Sequence, residues 1–338
     1  MRAAAIYGAE DVRVEERARP PVEGDGLLLR MRSVGICGSD LHYYREGRIG
    51  KANIDAPMIP GHEIAAEIVD ERAPDYGFEA GEVVAVDPAL PCGRCESCRQ
   101  GFPNLCAHTK FMGSPEWDGA LREYLVAPPT MLVRVPASFH DDEVALLEPL
   151  GVAVHALDLA RVRPLATVGV VGAGPIGLLL IQVARVCGAA EVHVAEPLPH
   201  RREAALDAGA DSVHTDHEGI TEVTGGRGTD VVLEATDAPD GLMAAVRTAR
   251  IGGRVIGVGI PEGDDIALTA SVARNKGLTV KFSHRMGDVY GRAIRLVQDQ
   301  RVRLMPLVSH RFHLNASAEA FASLARHEGK ALKAVVHT

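Results

Sequence analysis

Thr167-Val168-Gly169-Val170-Val171-Gly172-Ala173-Gly174-Pro175-Ile176-Gly177 is the stretch on which the fold turns. It opens as a β-rich run and closes as a G-x-G-x-x-G turn, and a helical pattern, Ile176–Val186, follows at once. Gly172 permits the tight turn, Gly174 lets backbone approach a pyrophosphate, and Gly177 lets the helix pack on the strand. Pro175 and Ile176 open the helix, whose free N–H groups and partial positive charge suit phosphates. Glu196 stands 19 residues after Gly177, at the close of the next β-type run, Glu191–Ala195. A carboxylate there accepts hydrogen bonds from the ribose hydroxyls of NAD and repels the extra phosphate of NADP. Arg201, with Arg202 beside it, lies just beyond and softens that exclusion. The competing reading is a plain βα turn with an exposed glutamate.

The rhythm continues outward from this turn. β-type runs at Val231–Glu234, Arg254–Val258 and Leu278–Phe282 alternate with helical patterns such as Arg201–Ala208. That alternation predicts an α/β unit over 151–282, a doubly wound parallel sheet with helices on both faces. The first 150 residues read differently. Short apolar or alternating stretches, Ala3–Ile6, Leu27–Val34, Ile64–Val69 and Val83–Asp87, are punctuated by Gly and Pro, as in a twisted β-rich domain. Residues 283–338 leave the βα rhythm and are expected to return to the first domain. The expectation is a discontinuous β-rich domain, 1–150 with 283–338, and a sheet domain inserted between, with a ligand cleft where they face.

Four cysteines in the first domain, Cys92, Cys95, Cys98 and Cys106, are spaced C-x2-C-x2-C-x7-C. Four thiolates close a tetrahedron around Zn²⁺ and leave no open position, so this centre is structural. The alternative, disulfides, suits an oxidising compartment. The N-terminal segment is too short and too soon interrupted by Gly8, Glu10 and Asp11 for a signal peptide, and no apolar run spans a bilayer, so a cytoplasmic location is expected. The formal net charge of -9 argues against nucleic acid or an anionic membrane as partner. A second, catalytic zinc needs about three ligands and a vacancy. Cys37 and His62 are the best pair, and either Glu63 or Glu148 supplies the third ligand. Binding both carboxylates would make the site anionic and a poorer Lewis acid. Cys187 reads as a packed core thiol.

These pieces resemble the zinc-dependent medium-chain alcohol dehydrogenases, and most of all their polyol branch. The resemblance rests on Gly35-Ile36-Cys37-Gly38-Ser39-Asp40-Leu41-His42-Tyr43-Tyr44, on Gly61-His62-Glu63, on the four-cysteine loop, on Glu148-Pro149-Leu150, on the glycine turn and on Pro306–Phe312, in that order along the chain. It implies a GroES-like catalytic domain built from both chain segments, a Rossmann domain binding NAD, one catalytic and one structural zinc, and a homotetramer or homodimer. It further implies that Asp40 orients the zinc histidine, that Ser39 and His42 relay a proton, and that Tyr43, Phe111, Glu148 and Arg285 line the pocket. For Tyr43, plain packing competes evenly with that role.

The substrate is where the sequence thins. Arg45, Arg48 and Lys51 face only Glu46 in the loop beyond Cys37, which suits an anionic sugar acid, although a solvated loop reads as well. The first expectation is oxidation of a secondary hydroxyl on a sugar acid such as L-idonate. The alternative is a neutral polyol such as sorbitol, xylitol or an aminocyclitol. A non-enzymatic, zinc-stabilised NAD sensor is the reading from a different class, and it would be free to lose Cys37, His62, Ser39 and His42, all of which are present.

Overall fold

A computed structural model describes residues 1–263 and 265–338 of the chain. It divides into two compact units, Met1–Glu148 with Arg303–Thr338, and Pro149–Val302. Among the described residues no helix is long and apolar enough to cross a membrane.

The first unit is organised by a seven-stranded sheet. Its order runs Leu132–Arg134, Val83–Val86, Glu63–Ile68, Leu27–Gly35, Lys333–His337, Val308–His313, and Tyr124–Ala127 also pairs with Leu27–Gly35. Residues on the inner face, among them Leu27, Leu29, Met31, Ile64, Ile68 and Phe321, are almost wholly excluded from solvent and form one core. Strand Leu27–Gly35 is the hub. It pairs antiparallel with Glu63–Ile68 on one side, Gly35 opposite Glu63, and with Lys333–His337 on the other, Gly35 opposite Val335. This register brings the segment before Cys37, the segment after His62 and the late strand from Lys333 to one place.

The second unit carries a six-stranded sheet, every adjacent pair parallel, in the order Ser212–His214, Glu191–Ala195, Thr167–Val171, Thr229–Glu234, Ala249–Gly257, Thr279–Phe282. Strand Thr167–Val171 lies in the middle with Val168 and Val170 fully buried, as a central parallel strand covered on both faces requires. The strand order reverses beside it, which places the glycine turn at the carboxyl edge where such sheets bind ligands.

The sequence reading placed residues 283–302 with the first domain, whereas here they group with this second unit. The reason is packing. A Cβ on Gly151 would meet Met286 Sδ at 2.3 Å and Val289 Cγ2 at 3.1 Å, so the missing side chain lets this segment lie against helix Leu147–Ala160. Helix Tyr290–Gln298 then adds an ion pair from Arg292 to Asp158, with Nη1 donating to Oδ1 at 2.8 Å. The return to the first unit begins at Arg303.

Candidate metal centres and dinucleotide turn

Cys37 ends a loop and caps helix Gly38–Glu46. Asp40, fully buried in the first turn of that helix, accepts the Cys37 N–H on Oδ2 at 2.9 Å and the Gly61 N–H on Oδ1 at 3.1 Å. One carboxylate therefore ties together the two loops that present Cys37 and His62. Asp40 Oδ1 also lies 3.6 Å from His62 Nδ1, which turns Nε2 toward Ser39 Oγ, 3.4 Å away. The Cys37 thiol hydrogen-bonds the same imidazole. Burial opposes charge on His62, but Asp40 and Cys37 outweigh it and hold its pKa well above the ordinary value. His62 Nδ1 is buried without a hydrogen-bond partner. A soft thiolate, an imidazole and surroundings that favour a positive charge suit a divalent zinc.

The two candidate carboxylates behave differently. Glu63 is fully buried, and both its oxygens accept from Lys333 Nζ, at 2.6 and 2.9 Å. Lys333 is itself buried, on strand Lys333–His337, and spends its remaining donor on the Ile36 carbonyl at 2.9 Å. Burial works against its charge, and Glu63 and Cys37 more than restore it. Glu148 closes the first unit on helix Leu147–Ala160 and is 6% exposed. Burial pushes its pKa up to about 7; His62 and Lys333 pull against this, and Glu63 and Asp87 add to it. Sequence reasoning did not find Lys333, since no motif marks it and 270 residues separate it from Glu63.

Other expected site residues are placed as follows. Phe111 leans on His62, ring centroids 5.2 Å apart. Tyr43 is buried within the core of the first unit, where it packs as a hydrophobic residue. His42, 7% exposed, meets Glu46 one helical turn on, Nδ1 to Oε1 at 3.1 Å. Arg285 belongs to the second unit, where its backbone takes the left-handed region at φ 55°.

Cys92, Cys95, Cys98 and Cys106 are all unoxidised, and their sulfurs lie within 4.8 Å of one another. Among the described residues this is the group gathered so closely; Cys37, His62 and the two glutamates are not drawn together so tightly. Backbone N–H groups of Cys92 and His108 reach Cys106 Sγ, each at 3.4 Å, and Cys95 N–H reaches Cys92 Sγ at 3.4 Å. The bonds to Cys106 Sγ, led by the one from Cys92, outweigh burial and lower its pKa to about 6, toward the thiolate that zinc takes, while burial and its sulfur neighbours push Cys98 up to about 12. The donor set and its closeness fit a four-thiolate zinc, and free thiols oppose the disulfide alternative.

At the glycine turn, Gly172 holds φ at 92°, and a Cβ on Gly177 would stand 2.0 Å from the Gly172 carbonyl. Helix Pro175–Val186 starts from Gly174. Glu196 is 3% exposed and accepts the Ala173 N–H on Oε2 at 2.8 Å and the Leu198 N–H on Oε1 at 2.9 Å. It thereby fixes the turn. Arg201 Nη1 comes within 3.8 Å of where a Gly174 Cβ would be, and Arg202 donates to the Glu196 carbonyl at 2.8 Å. The crevice has its glycines, its acid and its flanking cations in one place.

Comparison with known proteins bears on both units. Residues 23–137 match the alcohol dehydrogenase GroES-like domain, and residues 175–299 match the zinc-binding dehydrogenase domain. Sorbitol dehydrogenase from Bacillus subtilis (strain 168) is 32% identical over 342 residues, covering 100% of this chain and 97% of its own length. Sorbitol dehydrogenase 2 from Saccharomyces cerevisiae is 34% identical over 339 residues, covering 96% and 95%. The crystal structure of L-idonate 5-dehydrogenase from Escherichia coli superposes with a TM-score of 0.91 at 27% identity, covering 100% of this chain and 98% of that one. Identity sustained from end to end, with the GroES-like and zinc-binding matches falling one on each unit's sequence, makes this chain a zinc- and NAD-dependent oxidoreductase of the medium-chain alcohol dehydrogenase family, in its polyol dehydrogenase branch.

Proposed function

We propose that the chain oxidises a secondary hydroxyl of a neutral polyol, of the sorbitol or xylitol kind, to a ketone. The observation that carries the choice of substrate is the charge around the candidate centre: Asp40, Glu63 and Glu148 are buried there, with Lys333 already spent on Glu63. Lys333 is therefore not left to receive a substrate carboxylate. The cations that the sequence offered to a sugar acid are engaged or outside: Arg45 Nη2 donates to the Ala325 carbonyl at 2.9 Å, and Arg48 and Lys51 are exposed. One observation favours the sugar-acid reading, the close superposition on L-idonate 5-dehydrogenase.

Cys37 and His62, with a glutamate, would hold the catalytic zinc, and Cys92, Cys95, Cys98 and Cys106 the structural one. When bound, the catalytic zinc supplies a Lewis acid that acidifies a hydroxyl, and NAD at the glycine turn supplies a hydride acceptor. The protein does the rest by position. Asp40, 3.6 Å from His62 Nδ1, favours the proton on that nitrogen by its charge. Ser39 Oγ, beside His62, takes the hydroxyl proton. His42 lies three residues on, on the same helix face, and passes the proton toward Glu46, which reaches solvent. Phe111 packs its ring against the His62 imidazole and helps to hold it in place. Gly172, Gly174 and Gly177 admit the pyrophosphate, Pro175 and Ile176 start the helix that receives it, and Glu196 and Arg201 select the ribose. A cytoplasmic location suits the unoxidised cysteines, and a homotetramer or homodimer belongs to the same reading.

NADH formation from sorbitol, xylitol and L-idonate tests it. Sorbitol or xylitol is expected to give the higher kcat/KM, and preference for L-idonate overturns the substrate choice. Cys37→Ala should abolish turnover with every member while NADH binding persists. Residual turnover in that variant would show the centre to be misplaced.

A further inference from the structure

Glu234 ends strand Thr229–Glu234 as a carboxylate only 5% exposed, and the groups bonded to it are neutral. Its Oε1 accepts the Thr236 N–H at 2.7 Å and the Thr236 hydroxyl at 2.9 Å, and the Gly259 N–H also reaches the carboxylate. Burial raises its pKa; the bonds from Thr236 and Gly259 oppose that, and Asp237 adds to it. A charge held out of water on neutral partners is costly. An apolar side chain would serve stability better, so the acid points to a use.

Its place says which use. Strand Thr229–Glu234 lies beside Thr167–Val171 where the strand order reverses, and there the two mononucleotide halves of such a sheet meet. Glu196, read as the ribose acceptor of the adenosine half, follows strand Glu191–Ala195 on the far side of Thr167–Val171. The loops after Glu234 and Gly257 therefore belong to the nicotinamide half. The Ala235 N–H donates to the Val171 carbonyl at 2.8 Å, and a Cβ on Gly172 would stand 2.5 Å from Thr236 Cγ2, so Thr236 packs directly on the glycine turn. The Thr236 hydroxyl also accepts the Ala238 N–H at 3.2 Å. On the other side, the Val258 N–H donates to the Glu234 carbonyl at 2.8 Å, and a Cβ on Gly259 would stand 2.9 Å from Glu234 Oε1. One residue thus pins two loops of the carboxyl edge to each other and to the turn.

We propose that Glu234 is a positioning residue for the nicotinamide half of the cofactor, acting through Thr236 and Gly259, which it holds as the wall of that half-site. The proposal rests on the reading that NAD occupies the glycine turn. The adenosine half, on the Glu196 side, should not feel the change.

Calorimetric titration of the full chain with NADH and with AMP, which carries the adenosine half alone, separates the two. Glu234→Ala is expected to weaken NADH roughly 10-fold, the loss of hydrogen bonds to a charged acceptor, and to leave AMP within about twofold of the parent. Glu234→Gln keeps an acceptor for Thr236 and should recover most of that loss. Thr236→Val removes the hydroxyl at nearly constant shape and should weaken NADH roughly threefold without touching AMP. If Glu234→Ala does not fold, Thr236→Val makes the same comparison. NADH affinity unchanged in the folded variants overturns the proposal. So does an equal loss for NADH and AMP, which would mark Glu234 as a support of the whole sheet unit. Failure of the underlying reading looks different: a parent chain that binds neither NADH nor AMP has no dinucleotide site at the glycine turn.

Discussion

Gly35→Ala is the smallest change that tests the architecture of the candidate centre. The new methyl would stand 1.9 Å from Glu63 Oε2, 2.9 Å from its Cδ and 3.0 Å from its Cβ. Real Cβ contacts essentially never fall below 3.0 Å, so the carboxylate must retreat by about 1.1 Å, the difference of those two distances. It cannot do so and keep both bonds of 2.6 and 2.9 Å to Lys333. If the glutamate stays, overpacking costs about 1–3 kcal/mol. If it leaves, a buried ammonium loses its partner at about 3–5 kcal/mol. The expected penalty is therefore about 3 kcal/mol, or roughly 10 °C in Tm for a unit of this size. Trp117, the single tryptophan, packs against the core of the first unit, so its fluorescence follows this unit's unfolding in urea. Gly38→Ala is the matched control, because nothing lies within 4 Å of a Cβ there, and it should stay within about 0.5 kcal/mol of the parent. A Gly35→Ala protein as stable as that control would refute the placement of the Glu63 carboxylate against Gly35, its partner on the neighbouring strand.

Two further predictions concern the first unit. Cys95→Ala should cost one equivalent of zinc per chain by elemental analysis and lower the unfolding temperature, because the variant opens a closed four-thiolate centre; retention of all the metal would contradict it. Asp142 is fully buried; burial alone would raise its pKa, but hydrogen bonds from His337, Ser33 and Arg311 prevail and set it at about 2 against an ordinary 3.8. A depressed carboxyl stabilises the fold above its unfolded pKa and loses that stabilisation as pH falls through the folded one, so Asp142→Asn should cost about 2 kcal/mol at neutral pH. The gap from the parent should narrow between about pH 4 and pH 2; a gap that does not change with pH would refute it.

What the sequence made legible follows from local physics. Thr167–Val171 is a continuous apolar run because both its faces are covered, and the turn after it needs glycine for reasons that act within six residues. The strands at Leu27, Glu63 and Val83 likewise declare themselves by short-range pattern. Strand Ser212–His214 gave no such sign. Its three residues are half-buried and two of them are polar, and what holds them is a chain from His193 Nδ1 through Ser212 Oγ to His214 Nε2, 2.8 Å at each step, formed only after two strands pair. Helix Gly241–Thr248 opens on Asp240-Gly241, a pair that reads locally as a turn and hides the helix behind it. At the candidate centre Cys37 and His62 were readable as a thiol and an imidazole that suit zinc, and Asp40 only through the family resemblance. The Lys333 bridge was not, since it exists only through the register of strand Lys333–His337 on Leu27–Gly35.

That register also sets a timetable. Glu63 leaves the ribosome 270 residues ahead of the lysine that neutralises it. At about 5–20 residues per second the interval is roughly half a minute. Throughout it the nascent first unit carries an acid that cannot be buried alone, and its central strand lacks one neighbour. A chaperone or a passing metal ion therefore meets this centre unfinished, and the whole intervening unit is synthesised before the centre can lock.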